Sequence, residues 1–301
     1  MAPRARLDAE LVRRGLARSR EQARDLITDG QVTVNGVRAS KPATNVSRDT
    51  PILLTDNDTE KWASRGAHKI IGALDAFAPD DSGSGGVRVE GRRCLDAGAS
   101  TGGFTDVLLR RGAARVVAAD VGYGQLVWRL QSDDRVDVRD RVNVRHLSAD
   151  DIGGPVELIV ADLSFISLRL VLPAFARCVA PGGDLLPMVK PQFEVGKDRV
   201  GTGGVVRDPA LRAGAVGAVA ARAQALGLRT KGVVASPLPG PSGNVEYFLW
   251  LRKEGTVPVV ADVEAEDTLL GGVPDEHADR SSELDDETLA AITTAIEKGP
   301  Q

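Results

Sequence analysis

The stretch CLDAGASTGGFT, residues 94–105, decides the fold of this 301-residue chain. An apolar strand pattern runs into Asp96, a glycine-rich turn follows, and a helix pattern begins near Phe104. Glycines in such a turn let the backbone approach a ligand closely at the carboxyl edge of a parallel sheet. Asp120 ends the next strand pattern, RVVAAD, where a carboxylate usually binds ribose hydroxyls. The stretch therefore predicts a nucleoside-containing ligand at this edge.

The chemistry of the turn favours S-adenosylmethionine as that ligand. The segment GASTGG does not match the G-x-G-x-x-G pattern that binds a pyrophosphate at a helix start. Asp96 precedes the first glycine and suits an amine or a cation rather than a phosphate. A dinucleotide site and a glycine turn without a ligand are the alternatives. The predicted cofactor-binding residues are Asp96, Gly98, Ser100, Thr101, Gly102, Gly103, Phe104, Asp120 and Phe165.

Alternating strand and helix patterns surround this stretch over residues 66–253. Short apolar segments such as RVVAAD, VELIVAD and DLLPMV are separated by helix patterns, which indicates a mostly parallel sheet with helices on both faces. We therefore predict an α/β fold with a doubly wound, Rossmann-like sheet, which together with the expected S-adenosylmethionine site would be of the class I methyltransferase type. The polar segment PDDSGSGG, residues 79–86, indicates a surface insertion.

Residues 1–60 predict a separate small α/β domain that binds RNA. Two helix patterns, the second starting with a capping pattern at Ser19–Gln22, precede two short strands around an Asn-Gly turn and a third strand, PILLT. Seven arginines lie among residues 4–24, against three acids. A compact unit with arginines on one face can bind RNA by shape and phosphate charge, and a solvated charged surface is the alternative. Residues 61–65 are the predicted linker between the two domains.

Charge is distributed unevenly along the chain. The whole chain carries 38 Lys and Arg against 42 Asp and Glu. Residues 254–301 alone contain 13 of the acids and only 2 of the Lys and Arg residues. A basic body with an acidic C-terminal region favours a polyanionic partner such as RNA. Residues 254–283 predict an acidic disordered linker, and residues 284–301 predict a short amphipathic helix with acids at its start.

Composition disfavours several other classes of protein. No apolar run approaches the roughly 20 residues that cross a bilayer, and the first residues lack the apolar segment of a secretory signal. Cys94 and Cys178 lie far apart in apolar contexts, which predicts buried reduced thiols in a cytoplasmic protein. The three scattered histidines and two cysteines have no metal-ligand spacing, so we expect no metal.

Six motifs occur in the order RGAHK, DAGASTGGF, AADVGYGQL, ADLSFISL, VKPQFEVG and PLPGPSGNVEYFLWL. Together they resemble the TlyA family of bacterial ribosomal RNA methyltransferases, also called haemolysin A, over about residues 4–252. The resemblance implies an FtsJ-type 2′-O-methyltransferase domain and an N-terminal module similar to ribosomal small-subunit protein four. The implied activity is methylation of cytidine 2′-hydroxyls in 16S and 23S rRNA within ribosomal subunits, by a monomer that needs neither membrane nor metal.

The resemblance also implies a catalytic tetrad of Lys69, Asp162, Lys190 and Glu246. Strand patterns place Asp162 and Lys190 at the carboxyl edge, where the methyl donor is expected. We assign Lys190 as the general base for the ribose 2′-hydroxyl and Lys69 as a second cation that favours its neutral form. Asp162 and Glu246 are expected to hold the two lysines by charge-assisted hydrogen bonds. These carboxylates oppose a fall of the lysine pKa, so the sequence does not give the sign of the net shift. The predicted RNA-binding residues are Arg4, Arg6, Arg18, Arg20, Lys41, Arg65 and Lys197.

Two alternative functions stay open at this point: an RNA-binding ribosome assembly factor with an inactive methyltransferase fold, and a membrane-lytic haemolysin. An N-methyltransferase is disfavoured, because ADLSF stands where its Asn/Asp-Pro-Pro-Tyr signature would lie. The linker EKWAS departs from the more basic or apolar tetrapeptide of family members, which puts the coupling of RNA docking to donor binding in doubt.

Overall fold

The computed structural model describes residues 4–17, 19–28, 30–54, 62–80, 85–240, 242–255 and 284–299. The chain divides into two compact units, Met1–Lys61 and Trp62–Gln301, and each has its own apolar core. The division lies within the predicted linker. Among the described residues, no helix is both long and apolar enough to span a bilayer.

The N-terminal unit contains two helices and five short strands. The helices are α1 (Leu7–Arg13) and α2 (Arg20–Thr28), and the strands are β1 (Arg4–Arg6), β2 (Val32–Val34), β3 (Val37–Arg38), β4 (Asn45–Ser47) and β5 (Ile52–Leu54). One antiparallel sheet has the order β3-β2-β5, and β1 pairs with β4.

Local sequence signals account for this unit. The Ser19 hydroxyl accepts the Gln22 amide (3.1 Å) and so caps the start of α2. The turn between β2 and β3 places Asn35 and Gly36 at positive φ (51° and 78°), as a type I′ hairpin requires. Side chains from both helices and from the strands form the core, which includes Leu7, Leu11, Ala23, Ile27, Val32 and Val46.

The larger unit is built on a seven-stranded mixed sheet. Its strands are β6 (Arg93–Ala97), β7 (Arg115–Asp120), β8 (Val136–Asp140), β9 (Val156–Ala161), β10 (Val179–Val189), β11 (Leu228–Ala235) and β12 (Tyr247–Lys253). Their order is β11-β12-β10-β9-β6-β7-β8; the five strands from β10 to β8 are parallel, and β12 is antiparallel to both neighbours. The strand order reverses between β6 and β9, which leaves a crevice at their carboxyl ends where such sheets bind ligands.

Helices cover both faces of this sheet, as the sequence predicts. They are α3 (Ala67–Ala76), α4 (Gly103–Arg110), α5 (Trp128–Gln131), α6 (Leu168–Cys178), α7 (Pro191–Glu194), α8 (Pro209–Ala225) and α9 (Asp286–Lys298). Successive strand residues point to opposite faces. Leu95 and Ile159 therefore lie in one core with residues of α6 and α8, while Cys94 and Leu158 lie in the other with residues of α3 and α4. The predicted doubly wound α/β fold is confirmed.

The two cysteines lie on opposite faces of the sheet. Cys94 belongs to β6 and Cys178 ends α6, and both thiols are free and buried. Burial raises the pKa of each thiol to about 12.

The predicted C-terminal helix is present as α9. The Asp285 carboxylate accepts the Thr288 amide (2.8 Å) at its start, and Ile292 and Ile296 are buried in the larger core. Residues 256–283 of the predicted acidic linker and residues 81–84 of the predicted insertion lie outside the described residues.

Candidate active site

The glycine turn lies directly against Asp162 at the carboxyl edge of the sheet. Ala97 ends β6 and Ala161 ends β9, and these two residues are register partners. The Asp162 amide donates to the Ala97 carbonyl (3.0 Å). A Cβ on Gly98, which has a φ of 84°, would lie 2.6 Å from the Asp162 carbonyl oxygen. Only glycine allows this close approach.

Two more glycines keep the turn compact. A Cβ on Gly102, at a φ of 100°, would overlap the Leu130 side chain, and a Cβ on Gly103 would overlap the Ser64 hydroxyl. Thr101, which directly precedes Gly102 in the turn, is half-buried. Side chains of the protein therefore pack against the turn where the Cβ atoms of Gly102 and Gly103 would lie. A ligand at the carboxyl edge of the sheet would contact the main chain of the turn.

Asp96 lies at the end of β6, and its side chain has no exposed surface (0%). One carboxylate oxygen accepts the Thr105 hydroxyl (2.7 Å), and the other, Oδ1, has no hydrogen-bond partner within the protein. Burial raises the pKa of Asp96 to about 7, while the Thr105 bond opposes this rise and the charges of Asp162 and Asp120 add to it. A buried carboxylate oxygen without a partner is suited to receive a donor from a ligand.

Asp120, at the end of β7, holds the same turn from the other side. Its carboxylate accepts the Ser100 amide (2.8 Å) and the Gly122 amide (2.7 Å). Ser100 has a positive φ of 48°, which Asp120 helps to fix. The Asp120 carboxylate thus lies beside the glycine turn, at the place where the sequence predicts a ribose contact.

Lys69, Asp162, Lys190 and Glu246 form one chain of ion pairs beside this turn. The Lys190 Nζ lies 2.6 Å from Asp162 Oδ1, and the Lys69 Nζ lies 3.9 Å from Asp162 Oδ2. Lys69 also donates to Glu246 Oε2 (2.5 Å). The four residues come from α3, the end of β9, the end of β10 and the start of β12. The fold therefore brings together the four residues that the sequence assigns to catalysis.

This chain of ion pairs is largely closed to water. Lys190 is 7% exposed, Lys69 is 9% exposed and Glu246 has no exposed surface. A Cβ on Gly240 would lie 2.6 Å from Glu246 Oε1, so the main chain encloses this carboxylate. Buried charges are stable only when they are paired, and here each lysine has a carboxylate of its own.

Ser164 is a residue of this site that the sequence reasoning does not identify. The Lys190 Nζ donates to the Ser164 hydroxyl (2.9 Å), so the loop after β9 gives Lys190 two partners. A single hydroxyl in a loop has no periodic signal. The signal in the sequence that could have identified Ser164 is its place in ADLSF, between the predicted site residues Asp162 and Phe165.

Phe165 and Phe104, the two phenylalanines predicted to bind the cofactor, differ in exposure to solvent. Phe165 is 90% exposed and has a φ of 64°, and its ring centroid lies 5.2 Å from that of Phe193. Its face is free to stack on a base or on adenine. Phe104 is 4% exposed, and its ring packs against Phe248 in the core (6.0 Å between centroids). Only the main chain of Phe104 is available to a ligand.

The predicted RNA-binding residues are distributed over both units. Arg6 and Arg20 are about half exposed, and each has a guanidinium nitrogen 3.0 Å from Asp8. Lys41 and Arg65 are exposed. The residues outside the description are Arg18 and the side chains of Arg4 and Lys197.

Family models match both units of the chain. A model described as FtsJ-like methyltransferase matches residues 62–253, and one described as S4 domain matches residues 5–52. These two matches cover the unit with the glycine turn and the unit with the arginines.

Known proteins resemble the chain over most of its length. The 16S/23S rRNA (cytidine-2′-O)-methyltransferase TlyA of Mycobacterium tuberculosis is 63% identical over 84% of this chain and 92% of the relative. The 23S rRNA (cytidine-2′-O)-methyltransferase TlyA of Campylobacter jejuni is 31% identical over 78% of this chain and 94% of the relative. A solved structure of a hemolysin-named protein from Streptococcus thermophilus is 33% identical, covers 99% of this chain and 98% of its own, and has a TM-score of 0.68.

Proposed function

This chain belongs to the TlyA family of FtsJ-like, S-adenosylmethionine-dependent methyltransferases, and we propose that it methylates cytidine 2′-hydroxyls in 16S and 23S rRNA. The S4 domain at residues 5–52 supports an RNA substrate. The relative that carries both rRNA names is 63% identical, whereas the one named for 23S rRNA alone is 31% identical. The more similar of the two relatives therefore favours both subunits as substrates.

The residues of the turn fit S-adenosylmethionine. The buried, unpartnered oxygen of Asp96 can accept from an amine, and Asp120 can accept from ribose hydroxyls. A Cβ at Gly98 or Gly102 would overlap Asp162 or Leu130, so glycine at these positions keeps the turn compact beside Asp96 and Asp120. When bound, S-adenosylmethionine supplies an electrophilic methyl group on a sulfonium. The other residues that would hold it are Ser100, Thr101, Gly103, the main chain of Phe104, and Phe165.

Lys190 is proposed as the base that removes the ribose proton. A 2′-hydroxyl is a very weak acid, so its oxygen becomes a good nucleophile only when a base takes the proton. The Lys190 side chain is buried, and Lys69 lies on the other side of Asp162, 3.9 Å from its Oδ2. Asp162 holds the Lys190 nitrogen and stabilises the ammonium that forms when the proton arrives. Glu246 pairs with Lys69 (2.5 Å) and so keeps the Lys69 cation 3.9 Å from Asp162.

Two fixed partners set the direction of the Lys190 nitrogen. Asp162 lies 2.6 Å away and Ser164 lies 2.9 Å away. A lysine nitrogen has three tetrahedral positions beyond its carbon, so one position stays open for the ribose oxygen. Positioning of this kind supplies a large part of the rate in transfer reactions.

A labelling experiment tests the proposal. The full chain is incubated with methyl-labelled S-adenosylmethionine and purified 30S or 50S subunits, and the labelled nucleotide is mapped. We expect label on cytidine ribose in both subunits. Lys190→Ala should lower incorporation by about 100-fold or more, because general-base catalysis contributes about 10²–10⁴-fold, while binding of S-adenosylmethionine stays unchanged.

Lys231→Ala is the matched control, because it removes a lysine of β11 that pairs with Glu254 (3.2 Å). Its activity should equal that of the unmodified chain. Label on a base, or full activity of Lys190→Ala, would contradict the mechanism. Label in one subunit only would restrict the substrate to that subunit.

A further inference from the structure

Glu194 joins the two loops that hold Lys190. Its carboxylate is almost fully buried, with 6% of the residue exposed. Oε1 accepts the Leu168 amide (2.7 Å) and Oε2 accepts the Ser167 hydroxyl (2.6 Å). Ser167 and Leu168 form the start of α6, where the loop from Asp162 ends. One side chain thus ties the loop after β10 to the loop after β9.

The surroundings of Glu194 make this connection strong. The first amides of a helix have no partner within the helix, and the helix dipole favours a negative charge there. Arg169 adds a guanidinium nitrogen 3.5 Å from the carboxylate. Burial raises the pKa of Glu194 to about 6, while the Ser167 and Leu168 bonds and Arg169 oppose the rise. The carboxylate form of Glu194 makes charge-assisted hydrogen bonds to these partners.

The same two loops also meet at the reactive nitrogen. Lys190 lies against Asp162 Oδ1 (2.6 Å) and Ser164 Oγ (2.9 Å). Glu194 follows Lys190 by four residues, and its partner Ser167 follows Asp162 by five. Segments 162–168 and 190–194 are thus joined at two places, through Lys190 and through Glu194.

Phe165 shows that the loop after β9 is held in a constrained shape. Its φ of 64° lies in the left-handed region, which costs a residue other than glycine about 1–3 kcal/mol. Such a conformation persists only where contacts fix it. Those contacts are the ring of Phe193 (5.2 Å between centroids) and the Glu194 bonds two and three residues further on. Loss of the Glu194 anchor would let this loop relax and move Ser164 and Asp162 away from Lys190.

We propose that Glu194 is a positioning residue for methyl transfer: its carboxylate fixes residues 190–194 on residues 162–168 and so sets the Lys190 nitrogen against its partners. The inference rests on the proposed role of Lys190 as the base. A displacement of about 1 Å at a reacting group can cost about 100-fold in rate. The glycine turn follows β6 and Asp120 ends β7, whereas Glu194 contacts the start of α6; of the residues proposed to hold the donor, Phe165 alone lies in the segment 162–168 that Glu194 fixes. Removing Glu194 should therefore lower kcat more than it raises the Kd for the donor.

The test compares Glu194→Ala with Glu194→Gln in the full chain, with ribosomal subunits as substrate. Glu194→Ala should lower kcat by about 10- to 100-fold, while the Kd for S-adenosylmethionine, which Phe165 alone of residues 162–168 contacts in the proposed site, rises by less than about fivefold. The amide of Glu194→Gln can accept from Leu168 and donate to the Ser167 hydroxyl, so it should recover kcat to within about fivefold. Ser167→Ala removes one of the two contacts and should lower kcat by about 3- to 10-fold, which keeps the test usable if Glu194→Ala does not fold.

Asp184→Ala is the matched control, because it also removes a buried carboxylate. Asp184 has no exposed surface and accepts from Arg92 (2.7 Å) and Trp250 (2.9 Å). It precedes Lys190 by six residues of extended chain, or about 20 Å. We expect a lower Tm for Asp184→Ala and an unchanged kcat.

Three results would overturn the role of Glu194. They are an unchanged kcat in Glu194→Ala, an equal loss in Glu194→Gln, and an equal loss in Asp184→Ala. Lys190→Ala separates this inference from the function on which it rests. Full activity of Lys190→Ala contradicts the base itself, whereas an inactive Lys190→Ala beside a fully active Glu194→Ala contradicts the positioning role alone.

Discussion

Asp96 is a carboxyl group without exposed surface, and its protonation decides what it can bind. Its pKa of about 7 means that the acid and the carboxylate are both populated near neutral pH. The acid can donate a hydrogen bond through its proton, whereas the carboxylate only accepts. An amine at Oδ1 would favour the carboxylate and lower the pKa of Asp96. Donor binding at this edge should therefore be linked to proton release.

Asp96→Asn should remove one component of the pH dependence of stability. The pKa of Asp96 is raised above its unfolded value, so its contribution is complete below about pH 4 and is lost as pH rises through about 7. From pH 5 to pH 8, the free energy of unfolding of the unmodified chain should fall by about 3 kcal/mol relative to Asp96→Asn. Urea unfolding at the two pH values measures this difference. A change below about 1 kcal/mol would contradict the raised pKa.

Helix α1 carries a buried acid that organises the arginines of the N-terminal unit. Asp8 has no exposed surface and accepts from the Ala9 amide (2.8 Å), from Arg6 (3.0 Å) and from Arg20 (3.0 Å). The Arg6 hydrogen bond and then that of Arg20 hold the pKa of Asp8 well below its usual range, although burial opposes this. Two half-exposed guanidinium groups are thus fixed before any phosphate approaches.

Asp8→Ala should loosen the N-terminal unit. The Ala9 amide at the helix start and both guanidinium groups would lose a buried, charged acceptor, which we expect to cost about 2 kcal/mol. Hydrogen–deuterium exchange should become faster in residues 19–28 and 30–54 and stay unchanged in β6 and β7. Asp49→Ala, which removes an exposed acid of the same unit, should have no effect on exchange. Protection equal to that of the unmodified chain would show that Asp8 does not support this unit.

The sequence predicts the long elements of the fold well, for a physical reason. Strands β7 and β9 are buried on both faces, so their apolar runs are easy to recognise. The pairing of β1 with β4 is not predicted, because Arg4–Arg6 is too short to show alternation and contains two arginines.

The site is predicted where a residue ends a recognisable strand. Asp120, Asp162 and Lys190 follow apolar runs, and the carboxyl ends of parallel strands converge in space. Ser164 and Glu194 are not predicted, because their roles depend on side-chain contacts between loops that are 26 and 27 residues apart in the chain. Spacing along one loop gives no information about such contacts.

At the scale of the whole molecule, the chain has two units with separate cores, and each unit carries a different set of candidate functional residues. The unit that matches the S4 domain carries the organised arginines, and the unit that matches the FtsJ-like family carries the glycine turn and the four charged residues. Removing residues 1–61 should therefore separate RNA docking from donor binding.

We expect this truncation to lower methyl transfer to ribosomal subunits by about 10-fold or more, because phosphate contacts supply much of the affinity for RNA. The Kd for S-adenosylmethionine, measured by calorimetry, should stay within about threefold of the full-length value. Circular dichroism checks that the truncated chain is folded. Equal activity without residues 1–61 would remove the docking role.

The burial of Cys94 and Cys178 has a practical consequence. The reactive form of a cysteine is its thiolate, and a pKa of about 12 leaves almost none at neutral pH. Because the chain has only these two cysteines and both are buried, a cysteine introduced on the surface can be labelled with a maleimide dye while Cys94 and Cys178 are kept. One new cysteine on the surface of each unit would give a donor–acceptor pair, and energy transfer between the two dyes could then be compared with and without added ribosomal subunits.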